Sequence, residues 1–254
     1  TAFVGKWHLD KPDDVDTWAV GHDFDLAVQE QWSGRFGGRI FSPNRLWVNG
    51  DQEFVPYDYK KYDCKDHFRT NIAFDWLDQR DVKKPFFLFM SYRAPHSFEG
   101  PLRDTLDYKE KDWPEIEKAH AAKITLLDKQ IGRLINKLKE IDELDNTLIL
   151  FTSDNGPHFA DGGHELEFFN SNGKLRGGKR DLYEGGVRVP LIAYWKNKIR
   201  PKGKSYHISG FQDIMATFAE IIDYKVGENI DGISFLPTLL NEDQQKHEYL
   251  NLSL

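Results

Sequence analysis

The sequence predicts an α/β protein with a mostly parallel sheet that is flanked by helices on both faces. Three observations lead to this prediction. Apolar strands and long amphipathic helices alternate along the chain, and such alternation requires crossover connections. The strand segments lack the polar alternation of a half-exposed sheet, which indicates strands that are covered on both faces. The 254 residues are also enough to bury a sizeable core.

The individual elements follow from the apolar patterning. Four short segments with apolar runs are predicted to be strands: 1–9, 86–92, 147–152 and 187–195. In the last of these, Pro190 favours a strand start or an interrupted edge. Three segments have apolar residues three or four positions apart and are predicted to be helices: 66–80, 114–141 and 211–222.

Two further expectations concern burial. In the long helix, one stripe of apolar residues is expected to face the core: Ile124, Leu127, Ile131, Leu134, Leu138 and Ile141. Residues 10–65 mix Gly, Pro, Asn, Asp and Trp with little periodicity. We therefore expect this segment to be a long excursion over the surface.

Composition excludes several classes of protein. The chain has 34 Lys and Arg against 41 Asp and Glu, a net charge of -7, whereas nucleic-acid binders usually have a basic surplus. No apolar run is long enough to span a bilayer. The aromatic content of 14% argues against disorder. The single cysteine, Cys64, excludes an internal disulfide and any metal site built from several cysteines.

Both ends of the sequence lie within patterned segments. The chain begins without Met in a predicted strand and stops soon after the well-patterned segment 231–240. We therefore expect it to be an internal portion of a larger protein, truncated at both ends.

Polar clusters after the apolar strands are the places to look for a site. Ligands of parallel α/β sheets gather beyond the carboxyl ends of the strands. Four clusters of this kind occur: 5–8, 93–96, 153–155 and the glycine-rich 175–186. The sequence has no nucleophile elbow, phosphate loop, zinc-protease or dinucleotide signature.

Asp154 and Asn155 follow the strand 147–152 at a Gly-Pro break. A carboxylate beside an amide carbonyl offers two hard oxygen donors, which suit Ca²⁺ or Mg²⁺. Asp-Asn-Gly-Pro is also a favourable turn sequence, and on its own a turn is the more common explanation. The tetrapeptide alone leaves both interpretations open.

Basic and imidazole side chains occupy the other strand exits. Lys6 and His8 follow the first strand, His96 follows the second, and Lys179 lies in the glycine-rich segment. Singly, each of them is more often a solvated loop residue. Together they could neutralise and orient an anionic group, and histidine can also transfer a proton near neutral pH.

Taken together, the four clusters resemble the type I sulfatases, the arylsulfatase branch of the alkaline phosphatase superfamily. The matching pieces occur in the family's order and cover nearly the whole chain: 4–9 (Val-Gly-Lys-Trp-His-Leu), 85–96, 126–132, 151–156 (Phe-Thr-Ser-Asp-Asn-Gly) and 178–190. Residues 168–173 and 179–183 are most similar to bacterial sulfatases that act on sulfated glycans. The resemblance implies the alkaline phosphatase-like fold and hydrolysis of a sulfate ester, on a carbohydrate or another small molecule.

The resemblance also implies roles for individual residues. Asp154 and Asn155 match the pair that binds the active-site Ca²⁺, for which Mg²⁺ is an alternative. Lys6 and Lys179 match lysines that contact the sulfate.

Two histidines complete this implied set. His96 matches a sulfate-contacting histidine that helps to protonate the leaving alcohol. His8 matches the histidine beside the formylglycine hydrate, which helps to release sulfate. The implied partner is a sulfated small molecule or glycan, with no nucleic acid and no membrane span.

One departure from the family affects the chemistry. The family's nucleophile is a formylglycine made from the Cys or Ser of a Cys/Ser-x-Pro-Ser-Arg signature, which normally precedes Gly-Lys-Trp-His, as does a metal-binding acidic pair. This sequence contains no such signature, and Cys64 lies after that segment, before Lys-Asp-His-Phe. Asp10 also replaces a common glycine. We therefore expect about half of the metal site, no nucleophile in this chain, and little or no sulfatase activity from the chain alone.

The domain assignment follows the same resemblance. Residues 1–240 are expected to be the main part of the catalytic domain, and 241–254 a tail that leads to a further C-terminal subdomain. Family analogy favours a periplasmic or secreted location. Two alternatives stay open: a phosphatase or phosphodiesterase of the same superfamily, and a non-catalytic relic that binds sulfated glycans.

Overall fold

The first strand of the sequence, β1 (Ala2–Trp7), lies inside a four-stranded sheet in the computed structural model. It pairs in parallel with β2 (Leu26–Gln31) on one side and with β4 (Leu88–Ser91) on the other. β3 (Trp47–Val48) adds an antiparallel edge to β2. The prediction of an α/β protein with a mostly parallel sheet is confirmed.

The structure describes nine ranges and divides the chain into two units. The ranges are 1–9, 14–31, 47–49, 61–96, 102, 105–158, 164–201, 203–227 and 229–252. The first unit consists of Thr1–Lys137 and Phe159–Phe168, and the second of Leu138–His158 and Phe169–Leu254. No helix in the described part of the chain is long and apolar enough to cross a lipid bilayer.

Both faces of β1 are buried. On one face Val4 packs with Val28 and Phe68, and on the other Phe3 packs with Trp7. The helix α1 (Lys65–Gln79) contributes Phe68 to this core. Successive residues of a strand alternate between its faces, so burial on both sides accounts for the lack of polar alternation. The unbroken apolar runs 86–92 and 147–152, which predict strands covered on both faces, instead leave Phe89 and Phe151 exposed, so that expectation is wrong for them.

The expectation that 10–65 is a surface excursion is wrong for its described part. β2 is an inner strand of the sheet, and Trp18 is completely buried. Gln29 is also buried, and its side-chain oxygen accepts a hydrogen bond of 2.9 Å from the Ala19 backbone. A glutamine whose oxygen is bonded in this way fits a core strand without leaving an apolar pattern in the sequence. Residues 10–13, 32–46 and 50–60 lie outside the described residues.

The predicted helices occur within about one residue of the expected bounds, but their buried faces differ. α2 (Glu115–Glu140) buries Leu138 as expected, whereas Ile124 is 47% exposed. The buried positions also include the polar Glu117 and Gln130. Glu117 is hydrogen-bonded there, by the Glu165 backbone N–H. A buried polar side chain with such a partner occupies a core position at little cost, so apolar spacing alone misplaces the face.

The second unit contains a separate two-stranded sheet. β5 (Ile149–Thr152) pairs antiparallel with β6 (Leu191–Tyr194), and β6 begins directly after Pro190. The helices of this unit are short: α3 (Glu184–Val187), α4 (Gln212–Ile221) and α5 (Leu236–Leu240).

The residues after α5 are tied to this unit by side chains. Gln244 accepts a 3.0 Å hydrogen bond from the Thr238 backbone and donates one of 2.8 Å to the Ser234 carbonyl. His247 Nε2 lies 2.8 Å from Oδ1 of the buried Asp213. The described part of the predicted tail therefore packs on the segment before it.

Candidate functional site

Three of the candidate residues follow parallel strands of the first unit. Gly5 of β1 is opposite Ser91, the last residue of β4, so the two strands end at the same edge of the sheet. Lys6 and His8 lie at the end of β1, and His96 comes five positions after β4. The Ser91 hydroxyl donates a 2.7 Å hydrogen bond to the Lys6 carbonyl.

Gly5 and Trp7 of the Gly-Lys-Trp-His sequence each have a structural role at the end of β1. Gly5 has φ 134°, and a Cβ there would lie 1.9 Å from the Ser91 carbonyl oxygen. Only glycine permits this close approach of β1 and β4. Trp7 is fixed in the core, where its indole N–H donates to the Thr17 carbonyl at 2.9 Å. Because side chains alternate along a strand, Lys6 lies on the face opposite Trp7.

The other candidates lie in the second unit, beyond β5. The Ser153 hydroxyl donates to the Asn155 carbonyl at 2.9 Å, and the Asn155 side-chain nitrogen donates to the Gly156 carbonyl at 2.9 Å. These local bonds make the segment a turn. Because the side-chain nitrogen of Asn155 donates to the Gly156 carbonyl, the side-chain oxygen of Asn155 is the atom suited to a cation. Asp154 is exposed.

The donor chemistry of this turn fits a hard cation, though only in part. A carboxylate and an amide oxygen are ligands that Ca²⁺ prefers, but Ca²⁺ takes six to eight oxygens in all. Among the described residues, no group of three or more His, Cys, Asp or Glu side chains could hold a metal ion. Asp154 and Asn155 can therefore supply two ligands of a larger set.

The glycine-rich segment 175–186 packs directly on this turn. The Lys179 backbone N–H donates to the Pro157 carbonyl at 2.7 Å, and the Gly156 backbone N–H donates to the Gly186 carbonyl at 2.8 Å. A Cβ on Gly156 would lie 1.9 Å from the Gly185 carbonyl oxygen. The glycines let the two backbones touch, which brings Lys179 beside the segment that contains Asp154 and Asn155.

The candidate residues thus form two groups, one in each unit. Lys6, His8 and His96 lie at one edge of the first unit's sheet. Asp154, Asn155 and Lys179 lie together in the second unit. Lys6, His96 and Lys179 are half-buried, whereas His8 is exposed.

A buried polar cluster in the first unit was not predicted. His164 Nδ1 lies 3.0 Å from Glu117 Oε2, and the Glu165 backbone N–H donates to Glu117 Oε1 at 2.7 Å. The His120 ring stacks on His164 with centroids 3.7 Å apart. Burial, together with the nearby His164, lowers the pKa of His120 to about 4. The three-residue spacing of Glu117, His120 and Lys123 on α2 is the sequence signal that could have indicated a common face.

Comparisons with known proteins agree on one family. The sequence profile of the family described as Sulfatase matches residues 1–224. An N-acetylgalactosamine-6-O-sulfatase of Bacteroides thetaiotaomicron is 37% identical over 252 residues, which cover 93% of this chain and 46% of that protein. The sulfatase YdeN of Escherichia coli is 28% identical over 96% of this chain and 45% of its own length. The chain spans about half the length of these curated relatives.

A solved structure shows the same likeness in three dimensions. The crystal structure of Ps i-CgsB in complex with k-i-k-neocarrahexaose has a TM-score of 0.75 and 26% identity. The similarity covers 96% of this chain and 55% of that one.

Proposed function

The chain belongs to the sulfatase family, and from this premise we propose that the protein hydrolyses sulfate esters of carbohydrates. The 37% identical relative is named for a sulfate on N-acetylgalactosamine, and the neighbouring structure contains a neocarrahexaose. Both support a sulfated glycan as the substrate. Within that class, a 6-O-sulfated N-acetylgalactosamine is the first substrate to test.

One observation supports this proposal most strongly. The Asp154–Asn155 turn and the segment that contains Lys179 are joined backbone to backbone, by bonds of 2.7 Å at Pro157 and 2.8 Å at Gly186. Metal ligands and a cation that binds an oxyanion are useful together only when they lie side by side. The family resemblance assigns these two roles to these two segments.

In this proposal the charged groups bind and stabilise the sulfate. Asp154 and Asn155 would hold Ca²⁺, or alternatively Mg²⁺, and a metal there would stabilise the negative charge of the sulfate oxygens. Lys6 and Lys179 neutralise that charge further. Fixed cations of this kind favour the transition state, because charge spreads over the oxygens as the ester bond breaks.

The histidines move protons. As the bond between sulfur and the leaving oxygen breaks, the His96 imidazolium gives its proton to that oxygen, so a neutral alcohol departs. His8 helps to release the sulfate afterwards. In this proposal a formylglycine would supply the nucleophile for the sulfur. The present sequence has no Cys/Ser-x-Pro-Ser-Arg from which it could be made.

Two consequences follow. The 254-residue polypeptide alone is expected to turn over no 4-nitrophenyl sulfate; sulfate release by this purified chain would contradict that expectation. We also propose a periplasmic or secreted location, by analogy with the family.

The test uses the natural gene product that contains this chain. Sulfate release from 6-O-sulfated N-acetylgalactosamine is measured by ion chromatography, with phosphate esters assayed in parallel. Asp154→Asn should lower the rate at least about a hundredfold, because it removes a metal-bound charge. The matched control is Asp145→Asn, in the same unit at an exposed ion pair with Lys196. Hydrolysis of phosphate esters without sulfate release would overturn the proposal.

A further inference from the structure

A buried carboxylate holds the backbone just before His96. Asp66, in the first turn of α1, is completely buried and pairs with the equally buried Arg69. The two oxygens of Asp66 also accept backbone N–H groups, from Arg93 at 3.3 Å and from Ala94 at 3.0 Å. Hydrogen bonds to both carboxylate oxygens fix the orientation of the segment as well as its position.

These bonds continue to His96 through the backbone. The His96 N–H donates to the Arg93 carbonyl at 2.9 Å, which closes a turn. One turn along α1, the Thr70 hydroxyl lies 2.9 Å from the Tyr92 hydroxyl. The exit of β4 is therefore tied to α1 at three successive residues, from Tyr92 to Ala94.

A second helix holds His96 itself. Lys123 of α2 is buried, and its ammonium group donates a 3.4 Å hydrogen bond to the His96 carbonyl. Burying an ammonium group is costly unless hydrogen bonds compensate it, and the bond to the His96 carbonyl is one such contact. The His96 backbone is thus fixed from two helices through charged, buried side chains.

We propose that Asp66 and Lys123 are positioning residues for His96. They hold its backbone so that the imidazole stays aligned with the leaving oxygen of the sulfate ester. This inference rests on the function proposed above. A buried ion pair contributes little net stability compared with apolar residues of the same shape, so folding alone does not account for Asp66 and Arg69. Accurate placement of a proton donor does account for them, since small displacements of a catalytic group lower the rate by large factors.

The choice of substrate separates positioning from general stability. A sugar hydroxyl is a poor leaving group and needs the proton, whereas 4-nitrophenolate leaves readily without it. A misplaced His96 should therefore slow hydrolysis of the sulfated sugar much more than that of 4-nitrophenyl sulfate. A loss of folded protein would lower both rates by the same factor.

The experiment compares five variants of the natural gene product. Asp66→Asn and Lys123→Met should each lower kcat for 6-O-sulfated N-acetylgalactosamine at least about tenfold, and kcat for 4-nitrophenyl sulfate less than about threefold. Lys123→Arg, which keeps a donor, should recover most of the rate. The matched controls are Asp78→Asn and Lys137→Met. Asp78 of α1 and Lys137 of α2 form an ion pair between the same two helices, with Lys137 Nζ 2.6 Å from Asp78 Oδ1.

Asp66→Asn leaves Arg69 buried without its partner, so this variant can fail to fold; Lys123→Met then decides the question. Equal losses on both substrates, or no loss, would overturn the positioning role. A wild-type protein that releases no sulfate would instead overturn the proposed function. In that case, amide exchange of Ala94 in the 254-residue chain is decisive. Asp66→Asn should accelerate this exchange at least about tenfold, and an unchanged rate would show that Asp66 does not hold the segment before His96.

Discussion

The segment before His96 and the turn after β5 are held in place by different means. Side chains of α1 and α2 hold the first, through Asp66 and Lys123. Backbone groups hold the second, where the turn is bonded directly to the 175–186 segment. A region held by side chains should respond to changes in charge and polarity. A region held by backbone contact should respond to added volume at its glycines.

Adding a single methyl group to the backbone-held region should have the largest effect on stability. In Gly156→Ala the new Cβ would lie 1.9 Å from the Gly185 carbonyl oxygen, and a backbone atom cannot move away cheaply. We expect a loss of about 3 kcal/mol in the free energy of unfolding, measured by urea denaturation of the 254-residue chain.

The matched control for this change is Gly132→Ala in α2, where a Cβ would meet nothing within 4 Å. Alanine has a higher helix propensity than glycine, so this variant should be about 0.5–1 kcal/mol more stable than the wild type. A loss below about 0.5 kcal/mol for Gly156→Ala would mean that the turn and the glycine-rich segment are not pressed together, and the contrast between the two regions would disappear.

The side-chain-held region should respond to the loss of one hydroxyl. Thr70→Val keeps the shape of the side chain but removes the bonds from Thr70 to the Asp66 carbonyl, at 2.7 Å, and to the Tyr92 hydroxyl. The Tyr92 hydroxyl is then left without this partner in a partly buried position, where desolvation already raises its pKa. We expect a loss of about 1–2 kcal/mol in the free energy of unfolding.

Thr125→Val is the corresponding control, because it removes a 3.0 Å contact between exposed hydroxyls, with Tyr108. Water replaces such a bond, so the expected change is below about 0.5 kcal/mol. Equal effects at Thr70 and Thr125 would show that the bonds to α1 do not help to hold the exit of β4.

Sequence patterns predicted the parts of the molecule that depend on local periodicity. The bounds of α1 and α2 follow from apolar spacing, and the start of β6 follows from Pro190. β2 could not be predicted in the same way, because it buries the polar Gln29, whose side-chain oxygen is hydrogen-bonded to the Ala19 backbone ten residues away. Such a partner can be seen only after the chain has folded.

The same limit applies to the candidate site. Strand exits and the family resemblance point to Lys6, His96 and Asp154. Asp66 and Lys123 were not predicted, because a charged residue on an amphipathic helix normally lies in water. Their partners are backbone groups about 27 residues away, at Arg93 and His96, and backbone groups leave no mark in a sequence.

The segment before His96 and the turn after β5 should also differ in their sensitivity to acid. His120 lies one turn before Lys123 on α2, beside the ring of His164 and the carboxylate of Glu117. Burial and the neighbouring His164 lower the pKa of His120 to about 4 from its ordinary value of 6.5, whereas Glu117 opposes this shift. Between these two values the unfolded chain binds more protons than the folded chain. The contribution of His120 to stability is therefore complete above pH 6.5 and is lost as the pH falls towards 4.

Since the His120 ring is only partly buried, solvent screening reduces this contribution to on the order of 1 kcal/mol, the smallest of the three effects. Replacing the ring by His120→Gln should flatten the loss of stability between pH 6.5 and 4, as measured by urea unfolding at each pH. At pH 7.5 the ring is neutral in both states, so any difference there reports packing alone and serves as the internal control. Amide protection factors, which correct for the pH dependence of intrinsic exchange, should fall with acid at Ala94 and not at Gly156, because only the first is held by side chains of α1 and α2. An equal fall at both amides would mean that acid loosens the whole chain, and that the two regions do not differ in how they are held.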